Sequence, residues 1–288
     1  MAEKSFANQN DKSVEFLYGT KIGKAILEFI LFVRIPKLLG FLLRTPLSKF
    51  YIKKFVAKNG IDMSNFEGRN FSSFNDFFTR KIDSEKLNTD KESSHLISPS
   101  DSLLSVYTIE ENSTFHIKGF DYTLEDFFGT KDYGQNFVGG DCLVFRLCAS
   151  DYHRFCYIDN GKHEGEEGKN HFLRGKLYSV QPKACENFRV YTKNRRSWAI
   201  LSTENFGKVA QIEVGAFSVG GIVNHLGNTG GSESFKKGDE KGFFDLHGST
   251  IVLLFEKNKI RLNEDVINGT SNGQELKVKY GSFIGTKY

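Results

Sequence analysis

Over residues 21–58 apolar side chains recur at spacings of three and four. Ile22, Ile26, Leu27, Phe29, Ile30 and Val33 would share one face of a helix. Pro36 and Pro46 mark predicted breaks, so the segment reads as several short amphipathic helices. A membrane span needs roughly 18 to 20 consecutive apolar residues. Here Glu28, Arg34, Pro36, Lys37 and Arg44 interrupt every run, a pattern suited to helices lying in a headgroup layer or to ordinary helices packed on the protein body. From about residue 95 the period shortens. CLVFRL (142–147), GKLYSV (175–180), SWAILS (197–202), KVAQIEVGAFSV (208–219), STIVLLFE (249–256) and KIRL (259–262) are predicted strands, separated by Gly, Asn and Asp. The polar runs 159–170 and 224–241 are predicted exposed loops. The predicted fold class is α+β: a helical module over residues 1–92, followed by a mainly antiparallel β domain over residues 93–288.

Composition adds little until charge is divided along the chain. Of 288 residues 39% are apolar and 26% charged, which excludes a disordered or fibrous protein. The net charge of +4 conceals an asymmetry. Residues 1–60 hold eleven Lys and Arg against four acids, a net +7, so the rest of the chain carries −3. A basic amphipathic module ahead of a mildly acidic body is compatible with an anionic membrane surface as partner. Residues 1–11 are polar, without the apolar core of a secretory leader. Four cysteines without C-x-x-C spacing suggest structural thiols in a reducing compartment. His163 and His171 have no carboxylate at ligand spacing and read as solvated, so no metal is expected. No phosphate-binding glycine loop opens a helix, so neither nucleotide nor nucleic acid is expected as a ligand.

Six short segments follow one another in a fixed order: FSSFNDFFTRKI (71–82), SPSDS (98–102), DYHRF (151–155), GKLYSV (175–180), VGAFSVGGI (214–222) and KGDEKGFFDLHGSTIVLLFE (237–256). Together they resemble phosphatidylserine decarboxylase, a membrane-associated, pyruvoyl-dependent family, from about residue 15 to at least residue 256. The resemblance implies a proenzyme that cuts itself between Gly248 and Ser249 into a β chain of residues 1–248 and an α chain of residues 249–288. Ser249 then becomes a covalent pyruvoyl group, which forms a Schiff base with the substrate amine and needs no added cofactor. Phosphatidylserine would yield phosphatidylethanolamine and carbon dioxide. The resemblance also implies the anionic membrane surface, peripheral attachment at the cytoplasmic face, and a homodimer.

Residue by residue, the aspartate that the family is thought to place in a charge relay with the serine matches Asp101. The first histidine of the family's D-Y-H-R-x-H motif matches His153. The second, usually assigned to the relay, is Cys156 here, which puts the base for self-cleavage in question. His247 stands two residues before Ser249, so in an extended strand both would face one side. His247 and His153 are therefore the candidate replacements, with a plain turn residue as the other reading of His247. Phe74, Phe77 and Phe78 read as core anchors; Arg80 would pair with a phosphate or with a nearby acid; Val214, Gly215, Ala216 and Val219 would wall the site. Two other readings remain open from sequence: a soluble pyruvoyl-dependent decarboxylase of a free amino acid, and a lipid-binding homologue that does not mature.

Overall fold

The computed structural model describes residues 12–216, 221–246 and 249–288, so Val219, His247 and Gly248 lie outside the described residues. The 3.6-residue periodicity at the start of the chain becomes four helices: α1 (Lys12–Gly19), α2 (Lys21–Phe32), α3 (Ile35–Leu43) and α4 (Phe50–Asn59). Thr20 caps α2, its side-chain oxygen accepting the Gly23 N–H at 2.9 Å. Arg34, in the left-handed region at φ 59°, turns the chain from α2 into α3. Pro36 sits in the first turn of α3, where a missing N–H costs nothing, so the break between α2 and α3 falls where the sequence predicts it. Pro46 likewise opens a short 3-10 turn, Pro46–Lys49.

One side of this module docks on the β body. The Tyr18 hydroxyl accepts the Ser179 N–H at 2.7 Å, Lys24 donates to Asn187 at 3.0 Å, and Leu27 is fully buried. The other side carries Ile22, Phe29, Phe32, Leu38, Phe41, Leu42, Leu47 and Phe50, all at least half exposed. So many exposed large apolar side chains on one stretch of helices mark an interaction surface. Among the described residues no helix is long and apolar enough to cross a membrane.

After a short helix α5 (Phe74–Phe78), the chain becomes antiparallel sheet. Among the described residues, nine strands form a central sheet. Across it run Glu233–Phe235, Gly161–His163, Arg196–Thr203, Lys208–Val214, Ser249–Phe255, Asp141–Leu147, Ser102–Thr108 and Leu276–Val278, with His171–Leu173 pairing beside Arg196–Thr203. Both faces are covered. Val144, Ala210, Ile212, Val252 and Leu254 pack on one side, with Tyr18 and Trp198. Leu143, Phe145, Leu147, Val209, Ile251 and Leu253 pack on the other, with Phe155 and Phe244. Every residue of Ser249–Phe255 is buried, which explains its unbroken apolar run. A three-stranded sheet of Gly221–Asn224, Glu240–Asp245 and Arg154–Cys156 lies over the second face. His95–Ile97, Phe283–Lys287 and Ile260–Leu262 make another.

Three expectations need correction. GKLYSV has the alternation of a strand, yet it makes only an isolated bridge, Lys176 to Asn194. The Asn194 side chain takes the place of a ladder, accepting the Tyr178 N–H at 2.9 Å and donating to the Tyr178 carbonyl at 2.8 Å. The polar run 159–170 contains the strand Gly161–His163, and His163 is fully buried rather than solvated. Its Nδ1 donates to the Gly168 carbonyl at 2.6 Å, so Nε2 accepts from the Tyr157 hydroxyl at 2.8 Å. Burial lowers its pKa to about 4, so the ring is neutral. The run 224–241 holds another strand, Glu233–Phe235, paired with Gly161–His163.

Candidate active site

Two of the sequence segments become neighbouring strands. Arg154–Cys156 pairs with Glu240–Asp245, placing Phe243 opposite Arg154 and Gly242 opposite Phe155. Gly242 is needed there because a Cβ would stand 1.9 Å from the Val223 carbonyl oxygen of the next strand. The Phe244 N–H donates to the His153 carbonyl at 2.9 Å. The two chains therefore leave this ladder together, and His153 on one meets Ser249 on the other. Ser249 Oγ lies 3.4 Å from His153 Nδ1, and both residues are buried. That separation is at the long end of hydrogen-bond reach, where contacts of this kind stand before reaction.

The register of the central sheet fixes Ser249. It is the first residue of its strand and lies opposite Leu147, while Thr250 pairs with Arg146 on one side and Val214 on the other. His153 is fixed by its neighbours in turn. Its ring stacks on Phe78 with centroids 4.0 Å apart and planes at 28°. Phe78 belongs to a buried aromatic cluster with Phe55, Phe66, Phe71, Phe74 and Phe77, so these rings are core anchors as the sequence suggests.

Asp101 and Cys156 are placed differently. The hydrogen bonds of Asp101 among the described residues run to the Tyr280 N–H and to Lys279 Nζ, both at 2.9 Å. They do not run to His153 or Ser249. Beyond Asp101 opens a cleft of about 610 Å³, walled also by Ile82, Tyr152, Lys279 and Tyr280; neither Ser249 nor His153 lines it. Cys156 is fully buried and donates its thiol to the Ser98 carbonyl at 3.8 Å, while its N–H binds the Pro99 carbonyl. Burial pushes its pKa up to about 12, so it stays a protonated thiol. Of the sequence candidates within the described residues, only His153 is brought to Ser249. Val214 and Ala216 are buried beside this strand, and Gly215 donates its N–H to the Arg195 carbonyl.

Residues 74–286 match the family model described as phosphatidylserine decarboxylase. The chain belongs to the phosphatidylserine decarboxylase family. It is 40% identical over 286 residues to phosphatidylserine decarboxylase proenzyme 2 of Clostridium acetobutylicum, covering 98% of this chain and 94% of that protein. It is 38% identical over 283 residues to the proenzyme of Clostridium kluyveri, covering 96% and 93%. The proenzyme of Clostridium perfringens is 40% identical over 281 residues, again covering 96% and 93%.

This phosphatidylserine decarboxylase family member carries two buried ion pairs that no local pattern announces. Glu213 faces the same side of the central sheet as Ser249, since it pairs with Ile251, two residues further along. Lys241 Nζ donates to Glu213 Oε1 and to Asn224 Oδ1, both at 2.8 Å, and both charged residues are fully buried. Burial lowers the Lys241 pKa, and the Glu213 charge opposes that shift. On the opposite face Arg146, beside Thr250, makes a two-pronged pair with Glu275, which Lys118 also reaches at 2.9 Å. Burial alone would raise the Glu275 pKa, but hydrogen bonds and charge from Arg146 and Lys118 hold it below the ordinary value. Only complementary signs at distant positions could have disclosed these pairs. Among the described residues no group of His, Cys, Asp and Glu is arranged to hold a metal.

Proposed function

We propose that this chain is a proenzyme which cuts itself between Gly248 and Ser249 and then decarboxylates phosphatidylserine to phosphatidylethanolamine. The observation that carries the proposal is the buried contact of Ser249 Oγ with His153 Nδ1 at the head of the central strand. A serine hydroxyl is a weak nucleophile until a base takes its proton. His153 with its hydrogen on Nε2 presents a lone pair at Nδ1 for that purpose. The serine oxygen then attacks the Gly248 carbonyl carbon, and the peptide C–N bond breaks as the proton taken from the serine is delivered to the departing nitrogen, which becomes a free amine while an ester forms. Loss of the Ser249 Cα proton and of the Cβ–O bond releases Gly248 as a carboxylate and leaves dehydroalanine. Water converts that residue to a pyruvoyl group and ammonia.

The site suits the group that this sequence of steps would create. Ser249 is held by its pairing with Leu147, and the next residue, Thr250, by pairing with Arg146 and Val214, so the head of the strand is fixed by the sheet as well as by the bond to residue 248. The pyruvoyl ketone supplies an electrophile that accepts the electron pair left by the departing substrate carboxylate. The chain's residues provide the rest. His153 is placed to hold or move a proton at this point, the Phe78 ring fixes its plane, and the apolar faces of the sheet keep water away. Asp101, anchored by Lys279 and the Tyr280 N–H, acts in this proposal as a fixed negative charge near the site rather than as a direct partner of Ser249.

Intact mass tests the proposal. The expected result is two fragments, 1–248 and 249–288, the smaller with a hydroxylamine-reactive N terminus, together with carbon dioxide release from phosphatidylserine vesicles. A single uncut chain of 32.7 kDa without activity would support the non-maturing alternative.

Residues 1–92 form the membrane-associating module in this proposal, and residues 93–288 the catalytic domain. What supports the first part is the exposed apolar side of α1 to α4 combined with the basic charge of residues 1–60. The protein is therefore expected to pellet with phosphatidylserine-containing vesicles. Replacing the exposed Phe32 and Phe41 by serine is expected to weaken pelleting at least about tenfold, since each aromatic ring contributes about 1.5–3 kcal/mol when buried. Self-cleavage should be unchanged. Equal pelleting of the double variant and the parent would refute the role of these rings, and a parent that stays in the supernatant would favour the soluble alternative.

A further inference from the structure

Arg80 ends the FNDFFTR run, two residues beyond Phe78, whose ring stacks on His153. It is only 4% exposed, yet its side chain makes one long hydrogen bond, Nη1 to the Phe77 carbonyl at 3.4 Å. Its Nε is buried and has no hydrogen-bond partner among the described residues. Burial lowers its pKa, against the influence of Tyr152, Asp101 and Asp151. Neither aspartate pairs with it. Asp101 is held by Lys279 and the Tyr280 N–H, and Asp151 accepts the Cys148 N–H at 2.7 Å and faces Lys277 at 3.4 Å. The rings of Phe77 and Phe66 lie 4.9 and 5.5 Å from the guanidinium carbon. Contact with two aromatic faces returns only part of the hydration that a buried guanidinium gives up. Among the described residues the buried Nε is left without a hydrogen-bond partner, and the fork as a whole has one long hydrogen bond.

We propose that Arg80 takes the phosphodiester of the lipid substrate. The inference rests on phosphatidylserine being the substrate, and it adds the residue that holds its phosphate. In that lipid the phosphate stands between the acylglycerol and the carbon that bears the amine and carboxylate. The protein has the same order. The exposed apolar helices come first, then the aromatic cluster around Arg80, then Phe78 against His153, then Ser249. Among the described residues Arg80 is linked to Ser249 through Phe77, Phe78 and His153 and not by direct contact, a connection that suits the phosphate and not the carboxylate on the reacting carbon. Arginine also matches phosphate geometry, because two N–H groups can address two oxygens at once.

The test uses the mature wild type, Arg80→Gln and Arg80→Lys, with soluble dihexanoyl lipids. Self-cleavage, read by intact mass, should proceed in all three. Arg80→Gln should raise KM for dihexanoyl phosphatidylserine roughly 10- to 100-fold, the effect of losing charge-assisted hydrogen bonds, with little change in kcat. The calorimetric Kd for dihexanoyl phosphatidylethanolamine, which keeps the phosphodiester but has no carboxylate, should rise by a similar factor, and Arg80→Lys should fall between. Unchanged phosphatidylethanolamine affinity beside a raised KM would assign Arg80 to the carboxylate and overturn the proposal. No change in either would make Arg80 structural. Should Arg80→Gln not fold, Arg80→Lys carries the same calorimetric test, and unchanged affinity there overturns the proposal. Failure of the wild type to decarboxylate phosphatidylserine would refute the substrate assignment separately, while the calorimetry would still report on the phosphodiester.

Discussion

Replacing His153 with alanine is expected to leave the chain as one species of 32.7 kDa under conditions in which the wild type has divided at 248/249. The reason is geometric. Among the described residues, His153 Nδ1 is the base that stands within reach of Ser249 Oγ. A positioned proton acceptor typically contributes about 10²–10⁴-fold to such a step, so the uncut form should persist for at least a hundred times the wild-type half-life. Ser249→Ala should also remain whole, because it removes the nucleophile. His247 was an equal candidate from its spacing but lies outside the described residues, so His247→Ala is the informative companion. If His153 is the base, His247→Ala still divides. Rapid division of His153→Ala would end the assignment. The comparison also settles the meaning of Cys156, which sits on the Ser98 carbonyl as a buried thiol and should tolerate serine or alanine without loss of cleavage.

The second large effect concerns Glu275. Substituting glutamine removes the carboxylate charge that faces Arg146 and Lys118, both mostly buried. Breaking such a pair typically costs about 3–5 kcal/mol. In a chain of this size each kcal/mol shifts Tm by about 2–4 °C, so Glu275→Gln should melt on the order of 10 °C below the wild type. The sign with pH follows from the carboxylate. Its folded pKa lies below the ordinary 4.5, so its contribution is complete above that value and disappears as pH falls through the folded pKa. The gap between wild type and Glu275→Gln should therefore close in acid. Equal melting temperatures at pH 7 would show that the pair contributes nothing net.

Where burial is uniform or one-sided, the sequence disclosed the structure. STIVLLF was legible as a strand because both of its faces are covered; the α2 pattern was legible as a helix, but of its periodic apolar residues Leu27 is fully buried while Ile22 and Phe29 face outward. GKLYSV misled because alternation reports which side chains are buried, not whether neighbouring backbones pair; Asn194 supplied the hydrogen bonds instead. His163 misled because a polar neighbourhood in sequence need not be a wet one in space. The site itself was legible only through the ordered segments of a family. Ser249 and His153 are 96 positions apart, and no periodicity links them. The Lys241–Glu213 and Arg146–Glu275 pairs were hidden for the same reason, since charges 28 and 129 positions apart look like solvated ones until the sheet brings them together.

The segment after the proposed cut is woven into the body. Ser249–Phe255 lies between Lys208–Val214 and Asp141–Leu147, Leu276–Val278 closes one margin of the same sheet, and Phe283–Lys287 fills the middle of another. A strand in such a position cannot be withdrawn without dismantling its neighbours, nor slipped in beside strands already joined. The small fragment is thus irreplaceable once made. A molecule whose Ser249-derived terminus is chemically spent has no spare part to receive, and the cell can restore the activity only by synthesising the whole protein again.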